Sequence, residues 1–243
     1  MRIFIEKNKK SGDKKAFSII KKQILTKPSS LIGLAVGKTT DGLYKLINNN
    51  SVKTPIFWRK TKLFQIDENI GFSPDSKLSF NREIKRELKN LLKIVKKNNV
   101  FFIDGAKNPA KTIKEGYKFI RKNKCVDLII LGLGPKYDPH IAYNTSGKST
   151  LKSAFRVVDL HPRIAKKLLK KNKKLKGITL GIKDILQAKK ILLIAYGEEK
   201  APSVKLALNG NVNLKKASAS SVTLHKNLDV VLDKYAAKYL KQS

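Results

Sequence analysis

A single cysteine, Cys125, excludes an internal disulfide in this 243-residue chain and suits a reducing compartment. Placed just before an apolar, strand-like run, it reads as a buried, inert thiol. No stretch approaches the roughly 20 apolar residues of a membrane span. The first fifteen residues hold no continuous apolar core of the kind a secretory signal needs. A cytoplasmic protein without a membrane partner is therefore expected. Histidine occurs only three times, no His or Cys pair has ligand spacing, and E-x-x-H and H-E-x-x-H helices are lacking, so no metal or other cofactor is expected. The G-x-S-x-G elbow of Ser–His–Asp hydrolases is also missing.

Acidic residues are scarce as well: 18 Asp and Glu stand against 53 Lys and Arg, a formal net charge of +35. Such an excess attracts polyanions and phosphorylated ligands alike. Arginine, the residue suited to bidentate contacts with phosphate and guanine, is rare among these cations. The lysines spread along the whole chain with abundant Asn and Ile, as compositional drift would leave them. No nucleic-acid motif accompanies them, so salt-sensitive sticking to polyanions is expected but no specific nucleic-acid partner.

What the chain has is alternation. Short β-rich runs take turns with longer helical patterns, and hydrophobic residues make up 41% of the sequence. This predicts an α/β fold, doubly wound, with a mostly parallel sheet and helices on both faces. Strands are expected at 1–6, 31–36, 62–66, 100–103, 126–132, 190–196 and 228–232, with extended segments at 155–160 and 178–180. Helices are expected at 13–25, 40–47, 79–97, 110–122, 162–169, 201–209 and 234–240, with a helical turn at 183–188. No Pro/Gly/Ser-rich linker and no repeat divides the chain, so residues 1–243 read as one domain.

Four polar clusters fall at strand ends, where open parallel sheets bind their ligands. Gly37-Lys38-Thr39-Thr40 lies between a strand and a helix. Backbone N–H groups there, with Lys38 and the threonines, could cradle a phosphate; an ordinary turn with a threonine cap is the other reading. Asp67-Glu68 offers two carboxylates for acid/base work or a loop that caps the next turn. In residues 131–144, Asp138 and His140 stand two apart after a glycine-rich turn, so the carboxylate could orient the imidazole, or His140 is a structural loop residue. Gly197-Glu198-Glu199-Lys200 places a lysine where it can reach a phosphate, although any lysine is unremarkable in this chain.

In this order the clusters resemble the glucosamine-6-phosphate deaminase/6-phosphogluconolactonase family. GLAVGKTTDGLYKLI is similar to its first phosphate loop, FQIDENIG to its F-x-x-D-E-Y-x-G, and GLGPKYDPHIAYN to its G-x-G-x-D-G-H-I-A-F-N. KGITLGIKDILQAKKILLIAYGEEKA resembles the stretch ending in G-x-x-K-A, and SASSVTLHKNLDVVLD the closing P-A-S-x-L-Q-x-H and strand. The likeness spans about residues 30–235. Asn69 after Glu68 and Ile141 after His140 resemble the amino-sugar deaminase branch; lactonases carry Arg after D-E and H-T-A-S-L-F.

The resemblance implies a sugar-phosphate substrate and deamination of glucosamine-6-phosphate to fructose-6-phosphate and ammonia. Asp67 would move the proton between C2 and C1, His140 would open the ring, and Asp138 would orient it. Gly37, Lys38, Thr39 and Lys200 would hold the phosphate. A lactonase, or a sugar-phosphate-binding paralogue without turnover, is the alternative, and a homo-oligomer is compatible with either. Several positions depart from the pattern. Pro139 replaces the glycine of Asp-Gly-His, and Lys136-Tyr137 extend the loop ahead of it. Thr145 replaces the glutamate that pairs with the histidine, Lys38 a small residue, and Thr40 and Ser218 prolines. Proline cannot adopt glycine's positive φ, so an altered loop is expected, with part of the ring-opening machinery missing.

Overall fold

The computed structural model describes residues 1–169 and 174–240. In chain order the strands and helices are β1 (Arg2–Glu6), α1 (Lys9–Thr26), β2 (Leu31–Leu34), α2 (Asp41–Lys53), α3 (Pro55–Trp58), β3 (Lys62–Gln65), β4 (Asp67–Asn69), α4 (Phe80–Glu87) and α5 (Lys89–Ile94). There follow β5 (Val100–Phe101), α6 (Pro109–Lys122), β6 (Leu128–Gly132), β7 (Arg156–Asp159), α7 (Pro162–Leu169), β8 (Lys176–Thr179), α8 (Ile182–Leu186), β9 (Ile191–Ala195), α9 (Ala201–Leu208) and β10 (Leu228–Asp233).

Seven strands form one sheet in the order β1-β10-β9-β6-β2-β3-β5, with every pairing parallel. Their apolar runs are continuous because both faces are covered. β9 shows how the strand period divides the core: Ile191, Leu193 and Ala195 enter one cluster, Leu192 and Ile194 the other. The first cluster packs against α6, α8 and α9; the second takes Ile20 of α1, Leu43 of α2, Trp58 of α3 and Leu91 of α5. This is the doubly wound α/β arrangement expected. The chain runs outward one way from β2 to β3 and the other way from β6 to β9, so the crevice for a ligand opens where β2 and β6 adjoin.

A second sheet, β4-β8-β7, is antiparallel; β7 and β8 realise the extended segments expected at 155–160 and 178–180, whereas β4 was not expected, residues 67–69 reading only as a polar strand end. The expected helix at 79–97 is two helices: Asn48 of α2 accepts the N–H groups of Asn90 (2.8 Å) and Leu91 (3.3 Å), capping α5 from outside. The expected helix at 234–240 is a run of turns. The Lys234 N–H there goes to the Glu6 carbonyl (2.8 Å), and Asn209 takes the Tyr239 carbonyl (2.9 Å). Among the described residues no helix is long and apolar enough to cross a membrane.

Candidate active site

At the crevice between β2 and β6 lies a cavity of about 430 Å³. Its first wall is the turn from β2 into α2. Gly37 has φ +146°, which favours glycine, and its carbonyl accepts both the N–H (2.9 Å) and the hydroxyl (3.0 Å) of Thr40. The Thr40 side chain is thus spent inside the turn and does not cap α2. Gly37, Lys38 and Thr39 line the cavity together with Thr40, and Lys38 is exposed.

Asp67 lines the floor, and its neighbour does not. The strand period turns Glu68 the other way, where its carboxylate accepts from Asn69 N–H (2.8 Å), Phe80 N–H (2.9 Å), Asn81 N–H (2.7 Å), the Ser79 hydroxyl (2.9 Å) and Gln65 Nε2 (3.1 Å). Glu68 therefore caps α4 with a charge suited to a helix N-terminus. Of the two readings of the acidic pair, capping holds for Glu68, while Asp67 is the carboxylate that faces the cavity. Asp67 is only 5% exposed, and its Oδ1 has no hydrogen-bond partner. Burial first, and the Glu68 charge second, push its carboxyl up to about 8. Tyr44 and Tyr143, both buried, stand near enough that the Asp67 charge raises their own proton affinities further, after burial.

The opposite wall follows β6. Gly134 allows the close approach that folds this loop: a Cβ there would fall 2.4 Å from the Asp138 carbonyl. Asp138 Oδ2 lies 2.9 Å from His140 Nδ1, and Oδ1 accepts the Ser146 N–H (2.8 Å). Burial pushes the Asp138 carboxyl up, but His140 and Ser146 outweigh it and hold it below the usual range. An ionised Asp138 accepts from Nδ1 of the cavity-lining His140 and so turns Nε2 away from itself. Asp138 itself does not line the cavity; it stands behind the imidazole.

The departures from the family pattern have local explanations. The added Lys136-Tyr137 swing outward, and Tyr137 packs on His161 (5.1 Å between ring centroids) and under Arg163 (4.9 Å). The Pro139 carbonyl accepts from Ala219 N–H (3.0 Å). Ser218 donates its N–H to Ser146 Oγ (3.0 Å), a bond proline could not make. Thr145 is half-buried and does not line the cavity.

From beyond β9, Lys200 reaches in and donates to the Leu133 carbonyl (2.6 Å). Burial lowers its proton affinity, Glu199 raises it and Lys167 lowers it again, leaving it below an ordinary lysine. Six of the seven expected site residues thus share one cavity, with Asp138 behind. Lys167 on α7, Glu199, Phe80 and Tyr143 line it too and were not singled out. Nothing distinguishes Lys167 in a lysine-rich run, and the Phe80–Tyr143 stack (5.8 Å) joins residues that only the fold brings together. Among the described residues, no cluster of three or more His, Cys, Asp or Glu could hold a metal.

Residues 9–230 match the family described as glucosamine-6-phosphate isomerases/6-phosphogluconolactonase. A glucosamine-6-phosphate deaminase of Clostridium botulinum (strain Langeland / NCTC 10281 / Type F) is 34% identical over 247 residues, covering 99% of both chains. One from Thermoanaerobacter sp. (strain X514) is 32% identical, covering 99% of this chain and 95% of the relative. The solved structure of a monomeric glucosamine-6-phosphate deaminase matches with TM-score 0.89 at 25% identity, over 98% of this chain and 99% of that one. The 6-phosphogluconolactonase from Trypanosoma brucei shares the fold, with TM-score 0.79 at 20% identity over 99% and 98%.

Proposed function

The chain belongs to the glucosamine-6-phosphate isomerase/6-phosphogluconolactonase family, and from that premise we propose that this sugar-phosphate enzyme deaminates glucosamine-6-phosphate. The observation that carries the reading is Asp67: a buried carboxylate with an unpartnered oxygen, facing the same cavity as a carboxylate-held imidazole and three lysines.

In this reading Gly37, Lys38, Thr39 and Lys200 hold the phosphate, which fixes the sugar's other end against Asp67 and His140. His140 Nε2 takes the proton from the C1 hydroxyl and returns it to the ring oxygen, opening the pyranose to the aldehyde. Asp67 then removes the C2 proton and delivers it to C1, so the double bond passes from C1–O to C2–N while the oxygen at C1 takes up the proton that the amine sheds. Water adds to the resulting imine and ammonia leaves, giving fructose-6-phosphate. The apolar setting that raises Asp67 matches its proton affinity to a weakly acidic C–H better than an ordinary carboxylate would.

Thr145, in place of a glutamate, favours a second reading, a lactonase in which His140 activates water against the ester carbonyl. Ammonia and fructose-6-phosphate release from glucosamine-6-phosphate decides between them, with Asp67→Asn and His140→Ala alongside. Turnover abolished by Asp67→Asn supports the deaminase; no turnover by the unaltered protein, with 6-phosphogluconolactone hydrolysed instead, overturns it.

A further inference from the structure

Behind the first loop, out of the cavity, lies a group of charges that the reaction above does not use. Lys9, in the first turn of α1, donates to Asp13 Oδ2 (3.0 Å) and to the Thr39 carbonyl (3.3 Å), and stands 3.6 Å from Asp41 Oδ1. Its ammonium also sits 5.3 Å from the centroid of the Tyr196 ring, at the stem of the loop that carries Lys200. One side chain thus touches the first loop, the start of α2 and the root of the second loop.

The carboxylates it pairs with are badly placed for anion binding. Asp13 lies directly on the first turn of α2: a Cβ at Gly42 would fall 1.9 Å from its Oδ2. Asp41 is the first residue of the same helix. Asp13 is buried, and its Oδ1 has no hydrogen-bond partner. Two carboxylates therefore occupy the helix end whose positive field would otherwise draw a phosphate. Tyr196 packs on the α1 backbone at Gly12, where a Cβ would fall 2.3 Å from its Cε1.

We propose that Lys9 is a positioning residue for the anion site, acting through the loop: it anchors Thr39 and neutralises Asp13 and Asp41, which would otherwise repel the incoming phosphate. The inference rests on the phosphate-holding part of the reading above and not on its chemistry. It carries a sign that a purely structural role lacks. Removing the Lys9 charge weakens anion binding, and removing the Asp13 charge as well restores part of it.

The test is calorimetric titration with inorganic phosphate at low ionic strength, using the full chain, Lys9→Met, Lys9→Arg and the double variant Lys9→Met/Asp13→Asn, with thermal melts of each. A loss of about five- to tenfold in phosphate affinity for Lys9→Met is expected, with near-normal affinity for Lys9→Arg and partial recovery in the double variant, which still lacks the Thr39 anchor and keeps Asp41. Unchanged affinity in folded Lys9→Met overturns the proposal. So does a double variant weaker than the single one, or an unaltered protein that does not bind phosphate. Should Lys9→Met melt early, the folded Lys9→Arg and the double variant still decide. Phosphate binding that obeys this pattern without glucosamine-6-phosphate turnover would sink the deaminase reading alone.

Discussion

Replacing Asp67 by asparagine separates what this side chain costs the fold from what the proposed reaction asks of it. A carboxyl whose folded pKa stands above its unfolded value holds its proton more tightly in the native state. Its stabilising contribution is complete below about pH 4, its unfolded pKa, and is lost as pH rises through the folded value of about 8. The loss runs at roughly 1.4 kcal/mol per pH unit over that window, an upper bound of about 6 kcal/mol above pH 8. Asparagine titrates nowhere in this range, and its own unpaired atoms cost the same at every pH. Asp67→Asn should therefore gain on the unaltered protein as pH rises from 5 to 9. From pH 5 upward about 4 kcal/mol of that bound remains to be lost, and with relaxation and water entry taking about half of it the relative gain is about 2 kcal/mol, or roughly 4–8 °C in Tm. Turnover should meanwhile fall by about a hundredfold or more. Paired thermal melts at pH 5, 7 and 9 measure the slope. A Tm difference that stays flat across this range would refute the argument that burial, unrelieved by hydrogen bonds, holds the proton on Asp67.

If Asp67 is the base, as proposed, it should also set the alkaline rise of activity: kcat/KM of the unaltered protein should climb toward a plateau above about pH 8, and a pH–rate profile checks this. His140→Ala should lower kcat by about a hundred- to ten-thousandfold, and Asp138→Asn by less, since the imidazole remains but loses its fixed tautomer; steady-state kinetics distinguish the two. Glu68→Gln places an amide nitrogen against donors that now share one carboxylate. It should cost about 2–4 kcal/mol, measured by urea unfolding. With a net charge of +35, capture of a phosphorylated sugar should be steered, so kcat/KM should fall several-fold between low and near-molar salt while kcat changes little.

Much of the doubly wound sheet was legible because its strands are buried on both faces and read as unbroken apolar runs, as in residues 191–195. β4 was not, since Asp67-Glu68-Asn69 has poor β-propensity and its pairing with Ile178 and Thr179 is made far along the chain. The break between α4 and α5 escaped for a similar reason: the apolar stripe Ile84, Leu88, Leu91 continues across it, and the cap comes from Asn48. The glycine turns and the Asp138–His140 spacing were readable as local patterns. Lys9 was not, because its importance lies in charges that α1 and α2 bring together.

Asp67 and Glu68 are adjacent, and alternation alone sends one into the cavity and the other into the helix cap. A slip of β4 by a single residue would exchange them. The carboxylate meant for the cap would enter the cavity, and the start of α4 would lose its acceptor. Five donors to Glu68 make that misfolded alternative expensive, so the residue outside the cavity holds the register that keeps its neighbour inside it. Variants that loosen Ser79 or Gln65 should then yield a mixed population, part competent and part inert, rather than a uniformly slower enzyme.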